Sequence, residues 1–103
     1  MTLQVANTIR EQLGNKALFM LGAKDFMGSE AERFLQFRIG RNSLGVTHIR
    51  ITLTPCDTYT ITAFRIRRSK GMLTSKTIDT RDGVYVDGLH RVLESVTGMY
   101  TRI

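Results

Sequence analysis

Arg33, Arg38, Arg41, Arg50, Arg65, Arg67, Arg68 and Lys70 crowd into residues 31–70, where only Glu32 and Asp57 oppose them. Acids and bases balance in residues 1–30 and again in 71–103, so the whole net charge of +6 belongs to that one stretch. A guanidinium carries a planar fork of donors matched to phosphate and carboxylate. The chemistry implied is recognition of a polyanionic or acidic partner.

Other reactive residue types are present but badly spaced. Cys56 sits beside Asp57, with His48 eight residues earlier. A nucleophile needs its base within hydrogen-bond reach, and a strand of that length separates the two by roughly 20 Å or more. Cys56 therefore reads as an ordinary turn residue. Asp79, Asp82 and Asp87 do not follow the spacing of a calcium loop, and Asp82 fits a helix cap better. Residues 22–28 (GAKDFMG) lack the closing Gly-Lys-Ser/Thr of a phosphate-binding loop. His90 is expected on the solvated flank of a helix. One cysteine excludes an internal disulfide, and two histidines argue against structural zinc. The expectation is a non-enzymatic protein with no catalytic residues, no metal and no cofactor.

The elements that must position the arginines follow from periodicity. Residues 3–13 place Leu3, Ala6, Ile9 and Leu13 on one helical stripe, with Gly14-Asn15 as a stop. Residues 17–21 (ALFML) form a short apolar run, consistent with a buried strand. Residues 22–32 read as a polar loop, in which Ser29 and Glu32 are spaced to cap a single helical turn. From Phe34 the period becomes two. Leu35, Phe37 and Ile39 alternate with Gln36 and Arg38, and Ile49, Ile51 and Leu53 with His48, Arg50 and Thr52. Thr54-Pro55-Cys56-Asp57 makes a turn. Residues 59–67 predict a long β-branched strand and residues 72–80 a more polar one. Asp82-Gly83 opens a last helix carrying Tyr85, Leu89, Val92, Leu93 and Val96, ended by Thr97-Gly98. The tail, residues 97–103, is apolar enough to add an edge strand or cover the core.

A chain of 103 residues with 42% hydrophobic and 23% charged side chains forms one domain, residues 1–103. The fold class is α+β in two layers. An antiparallel meander of four to five strands is covered on one face by the N- and C-terminal helices. No apolar run approaches the roughly 18 residues of a membrane span, and the N-terminus lacks the basic and apolar regions of a signal peptide. A cytoplasmic protein with no membrane partner is expected.

Alternation then assigns the charge. Arg38 and Arg50 fall on the face opposite the helices. On the long strand the phase is ambiguous, because Tyr59, Ile61 and Ala63 share a parity with Arg65 and Arg67, while Thr60, Thr62 and Phe64 share the other with Ile66. A bulge or the sheet edge near Ala63 would bring Arg65 and Arg67 beside Arg38 and Arg50, with Arg68 and Lys70 at the rim. The outcome is one basic surface for phosphates, with Tyr59 or Phe34 as stacking platforms. If Arg65 and Arg67 do not turn onto that face, the charge is divided across the domain and the binding reading loses most of its support.

Residues 51–59 (ITLTPCDTY), 94–101 (ESVTGMYT) and 22–26 (GAKDF) resemble segments of a group of small, largely uncharacterised proteins encoded by bacterial phages, prophages and plasmids. The similarity runs over nearly the whole chain. It implies a mobile-element accessory protein in a bacterial host cell, of a kind that binds nucleic acid or blocks a defence complex as anti-CRISPR proteins do. The resemblance carries no functional residues with it. Two functional readings follow: a nucleic-acid-binding module using Arg38, Arg50, Arg65, Arg67, Arg68 and Lys70, or an inhibitor that docks on a nucleic-acid-processing host complex through the basic face or residues 22–32. A homodimer formed by edge pairing is a third.

Overall fold

The computed structural model describes residues 4–99. Along the chain these form α1 (Gln4–Leu13), α2 (Asn15–Leu21), β1 (Lys24–Ser29), β2 (Phe34–Arg38), β3 (His48–Leu53), β4 (Tyr59–Ser69), β5 (Met72–Val84), a single 3-10 turn (Val86–Gly88) and α3 (Leu89–Thr97). The five strands make one sheet in the order β1-β2-β3-β4-β5, every pair antiparallel. Both terminal helices cover the same face, giving the two-layer α+β architecture that the period change predicts. Among the described residues no helix is long and apolar enough to cross a membrane.

The core is built by alternation. Leu35, Phe37, Ile49, Ile51, Ile61 and Ala63 point to the helices, which answer with Ala6, Ile9 and Leu13 from α1 and Leu89, Leu93 and Val96 from α3. Cross-strand partners such as Phe37 and Ile49, or Ile51 and Ile61, stack directly opposite one another on that face. The Glu30 carboxylate accepts from the backbone N–H groups of Gln4 (2.8 Å) and Val5 (3.2 Å), satisfying the start of α1 and setting negative charge at its positive end.

Three expectations are corrected. Residues 17–21 are helical, not a strand. They hold helix-forming Ala, Leu and Met with no β-branched residue, bury Ala17, Leu18 and Leu21, and leave Phe19 83% exposed. Gly14 (φ +85°) ends α1 at Leu13, as expected, and α2 starts immediately after it at Asn15. Residues 24–29 are the edge strand β1, not part of a loop. Exposed on both faces and irregular around Asp25 (φ +56°), this strand shows no alternation to read. The Ser29 bond does form, with Glu32 N–H donating to Ser29 Oγ at 3.1 Å, but it closes the tight turn between β1 and β2, where no helix is present.

Asp82-Gly83, third, does not open the last helix. β5 runs on to Val84, and Gly83 (φ +66°) supplies the extra residue of a bulge between the Tyr59–Val84 and Ile61–Arg81 pairs. Asp82 accepts a hydrogen bond from Thr60 Oγ1 instead of capping a helix. Tyr85, 67% exposed, lies before the 3-10 turn. The Thr97-Gly98 stop is as expected, with Gly98 in the left-handed region and its N–H on Glu94 O. Met99 packs on the core, whereas residues 100–103 of the tail lie outside the described ones.

Candidate nucleic-acid interface

Arg38 and Arg50 lie on the helix-free face, opposite His48 and Gln36 across the β2–β3 ladder. Arg65 and Arg67 do not join them. A bulge does stand at Ala63–Phe64, but its extra residue is Ile78 on β5, so Ala63 pairs with Asp79 and Phe64 with Thr77. β4 itself keeps strict alternation. Phe64 stays on the open face, its ring stacked on His48 at 5.7 Å, and Arg65 and Arg67 take the opposite parity. The continuous basic sheet face expected from the arginine spacing is therefore not formed.

Arg65 has a structural task. Its Nε donates to the Gly45 carbonyl at 2.8 Å, strapping the connection between β2 and β3 to the start of the long hairpin. That connection is organised by Asn42, whose side chain bonds Gly40 O (3.0 Å), Val46 O (2.7 Å) and Val46 N (3.0 Å). Thr47 completes the joint: its Oγ1 accepts from Ile66 N at 2.8 Å, and its N–H donates to Phe64 O.

Beyond Ile66, β4 pairs with β5 alone. Residues 66–75 form a two-stranded arm, closed by Lys70 (φ +53°) and Gly71 (φ +78°) at the tip between the paired Ser69 and Met72. Positive φ at both central residues gives the turn whose twist matches a hairpin. Four paired positions at about 3.3 Å each carry the arm roughly 13 Å past the sheet. Every residue from Arg67 to Lys76 is exposed. Arg67, Arg68 and Lys70 lie within it, Arg65 and Lys76 face each other across its root, and residues 58–78 contain no acid. None of Arg67, Arg68, Lys70 and Lys76 forms an ion pair among the described residues, where Arg81 and Asp79 make the salt bridge that is present, at 3.0 Å. Met72 and Leu73, 69% and 66% exposed, put an apolar side chain on each side of the tip.

On the open face, Arg50 is held on several sides. Its guanidinium carbon lies 4.2 Å from the Phe34 ring centroid and 6.0 Å from that of Phe64, and its Nε donates to Gln36 Oε1 at 2.9 Å. Phe34 is thus covered by Arg50, and Tyr59 faces the helices with its hydroxyl on Gln12 Oε1. Neither ring is open as a stacking platform. His48 is held below its ordinary value of 6.5, chiefly by burial and then by the positive charge of Arg38, with Asp25 opposing.

The remaining reactive residues are dispersed. Cys56 is exposed in the β3–β4 turn, at the opposite end of β3 from His48. His90, expected to be solvated, instead donates from Nε2 to Leu13 O at 2.8 Å and ties α3 to the end of α1. Among the described residues no three His, Cys, Asp or Glu side chains gather as a metal site would require. Residues 22–32, named from the sequence as a partner-contacting loop, belong mostly to β1 and the tight turn after it. The arm itself was missed as a unit, although the acid-free run of residues 58–78 was there to mark it.

Comparison with protein families, with curated proteins and with solved structures finds no match to this chain.

Proposed function

We propose that this protein is a non-enzymatic nucleic-acid-binding module of a mobile genetic element, acting in the cytoplasm of a bacterial host, with the β4–β5 arm as its principal contact. The observation that carries the reading is the arm's charge: five cations from Arg65 to Lys76, none with a carboxylate partner among the described residues, on a ribbon open to solvent on both sides beyond its root. Face parity divides arginines only where helices cover one side. On a bare ribbon Arg67 and Arg68 point to opposite sides, and both reach an enveloping polyanion.

Two further features support it. Arg65 and Lys76 stand directly opposite each other, an arrangement that costs stability in isolation and is relieved by an anion. A two-stranded ribbon also has the width that the major groove of B-form DNA admits, about 12 Å.

Binding to a duplex of about 20 base pairs, followed by fluorescence anisotropy over a salt series, tests the reading. Affinity should fall with a log–log slope of several units, and each arm cation replaced by Gln should reduce that slope by about 0.9. No binding at low salt, or a flat salt response, overturns it.

A second reading, an inhibitor of a host defence complex, is favoured by Met72 and Leu73. An apolar pair at an exposed tip suits a protein groove as well as a nucleic-acid one. Co-purification from host lysate with and without nuclease separates the two, since only a protein target survives nuclease treatment.

A further inference from the structure

We infer that the cleft between Arg50 and the outer strands, at the root of the arm, binds a single phosphoryl group. The cleft is an open depression of about 200 Å³ lined by Arg50, Thr62, Phe64, Ser75 and Thr77. All five come from neighbouring strands of the open face. Thr77 pairs with Phe64, Thr62 lies opposite Arg50, and Ser75 pairs with Ile66. The inference deepens the polyanion reading and rests on it for the source of the phosphoryl group.

Arg50 is preorganised for this task. The bond from Nε to Gln36, itself only 8% exposed, fixes the guanidinium along one edge, and the Phe34 ring supports its flat side. Those contacts use one of the five N–H donors. The Nη donors have no acceptor among the described residues, and no carboxylate lies in the cleft. A guanidinium held this way loses little side-chain freedom when an anion arrives.

The rest of the lining selects among anions. The hydroxyls of Thr62, Ser75 and Thr77 have no hydrogen-bond partner among the described residues, although each sits on a strand where neighbouring hydroxyls do: Thr60 on Asp82, Thr74 on Arg67 O. A carboxylate engaged by the arginine fork keeps about two acceptor sites, both in its own plane, too few for three hydroxyls spread over two strands. A tetrahedral oxyanion has enough acceptor oxygens to take the fork on one edge and hydroxyls on another. The β5 bulge at Ile78 creates this arrangement, because the added residue shifts Thr77 and Ser75 onto the open face while Asp79 and Arg81 remain on the helix side. Arg68 continues the same parity outward along β4. A backbone phosphate seated in the cleft would therefore belong to a strand running on toward the arm.

Amide chemical shifts of the full chain, titrated with inorganic phosphate, test the cleft directly. The expected result is saturable shifts at residues 62–64 and 75–77. Affinity should fall about tenfold or more in Arg50→Gln. Because that change also removes a contact with Phe34 and Gln36, the pair Thr62→Val and Thr77→Val, which leaves Arg50 in place, should weaken phosphate severalfold on its own. Shifts located elsewhere, or unchanged affinity in both variants, overturn the inference. The duplex assay distinguishes the source. If Arg67→Gln/Arg68→Gln lowers duplex affinity while phosphate still binds, and Arg50→Gln lowers both, the site takes a backbone phosphate. If phosphate binds but the duplex does not, the cleft stands as a site for a free phosphoryl compound and the nucleic-acid reading fails alone.

Discussion

Arg65 and Gly45 fit together so closely that a Cβ on residue 45 would lie 2.0 Å from Arg65 Nη2, while the Gly45 carbonyl accepts from Arg65 Nε at 2.8 Å. The contact joins the β2–β3 connection to the base of the arm, and it needs a glycine twice over, for space and for a φ of +72°.

Gly45→Ala should therefore destabilise the protein by about 1–3 kcal/mol through backbone strain and displacement of the guanidinium. Combined with Arg65→Ala it should cost less than the sum of the two single changes, since the colliding group is then gone. Urea denaturation of the four proteins in the cycle measures this, and strict additivity would show that the two residues are uncoupled.

Stability should fall as pH drops through about 6.5. His48 is held below its ordinary value in the folded chain, so below that pH the unfolded chain binds the extra proton first and folding becomes less favourable. The contribution is complete above the unfolded value and declines toward the folded one. Asp79, whose carboxyl is lowered by its hydrogen bond to Arg81, acts in a separate window, below its ordinary 3.8. Denaturation midpoints between pH 5 and pH 8 should rise with pH in the native protein, and His48→Gln should flatten the curve.

Tyr59→Phe should cost about 0.5–1.5 kcal/mol, the worth of one hydrogen bond at a partly open site. The Tyr59 ring is buried among core residues, but its hydroxyl meets Gln12 at the edge of α1. Thermal unfolding should show the loss, and Gln12→Ala should produce a similar one. A neutral Tyr59→Phe would mean that the bond is matched by water.

Met72→Ser with Leu73→Ser should leave stability within about 0.5 kcal/mol, because both side chains stand clear of the core. The same change should weaken any complex that buries the arm tip. Circular dichroism on heating checks the first part, and the duplex titration checks the second.

What the sequence made legible is what periodicity can carry. The meander from Phe34 onward, the stripe of Ala6, Ile9 and Leu13, and the stripe of Leu89, Leu93 and Val96 were all open to reading, because a half-buried element must alternate at its own period. Residues 17–21 were not, since a five-residue apolar run has no period and only helix propensity separates the two outcomes. β1 was hidden because an edge strand exposed on both faces has nothing to alternate.

The facing of Arg65 and Arg67 was framed by the sequence but not decidable from it. Either strand of the hairpin can take the extra residue of a bulge, and only the pairing reveals that Ile78 on β5 does so. Arg50 was identified as outward-facing, yet its bond to Gln36 depends on a register between two strands fourteen residues apart. Periodicity within each strand cannot supply that register.

From Arg65 and Lys76 to Ser69 and Met72 the hairpin pairs without interruption, both bulges lying nearer the body of the sheet. Its reach is consequently an adjustable length. Two residues added to each strand before the Lys70-Gly71 turn would extend it by about 7 Å and return every existing side chain to its present side. One residue per strand, inserted between the Arg67–Thr74 and Arg68–Leu73 pairs, would invert the tip, exchanging the sides of Met72 and Leu73 while leaving the helices and the Arg50 cleft untouched. The domain is thus a fixed platform carrying a probe whose depth and orientation can be set independently.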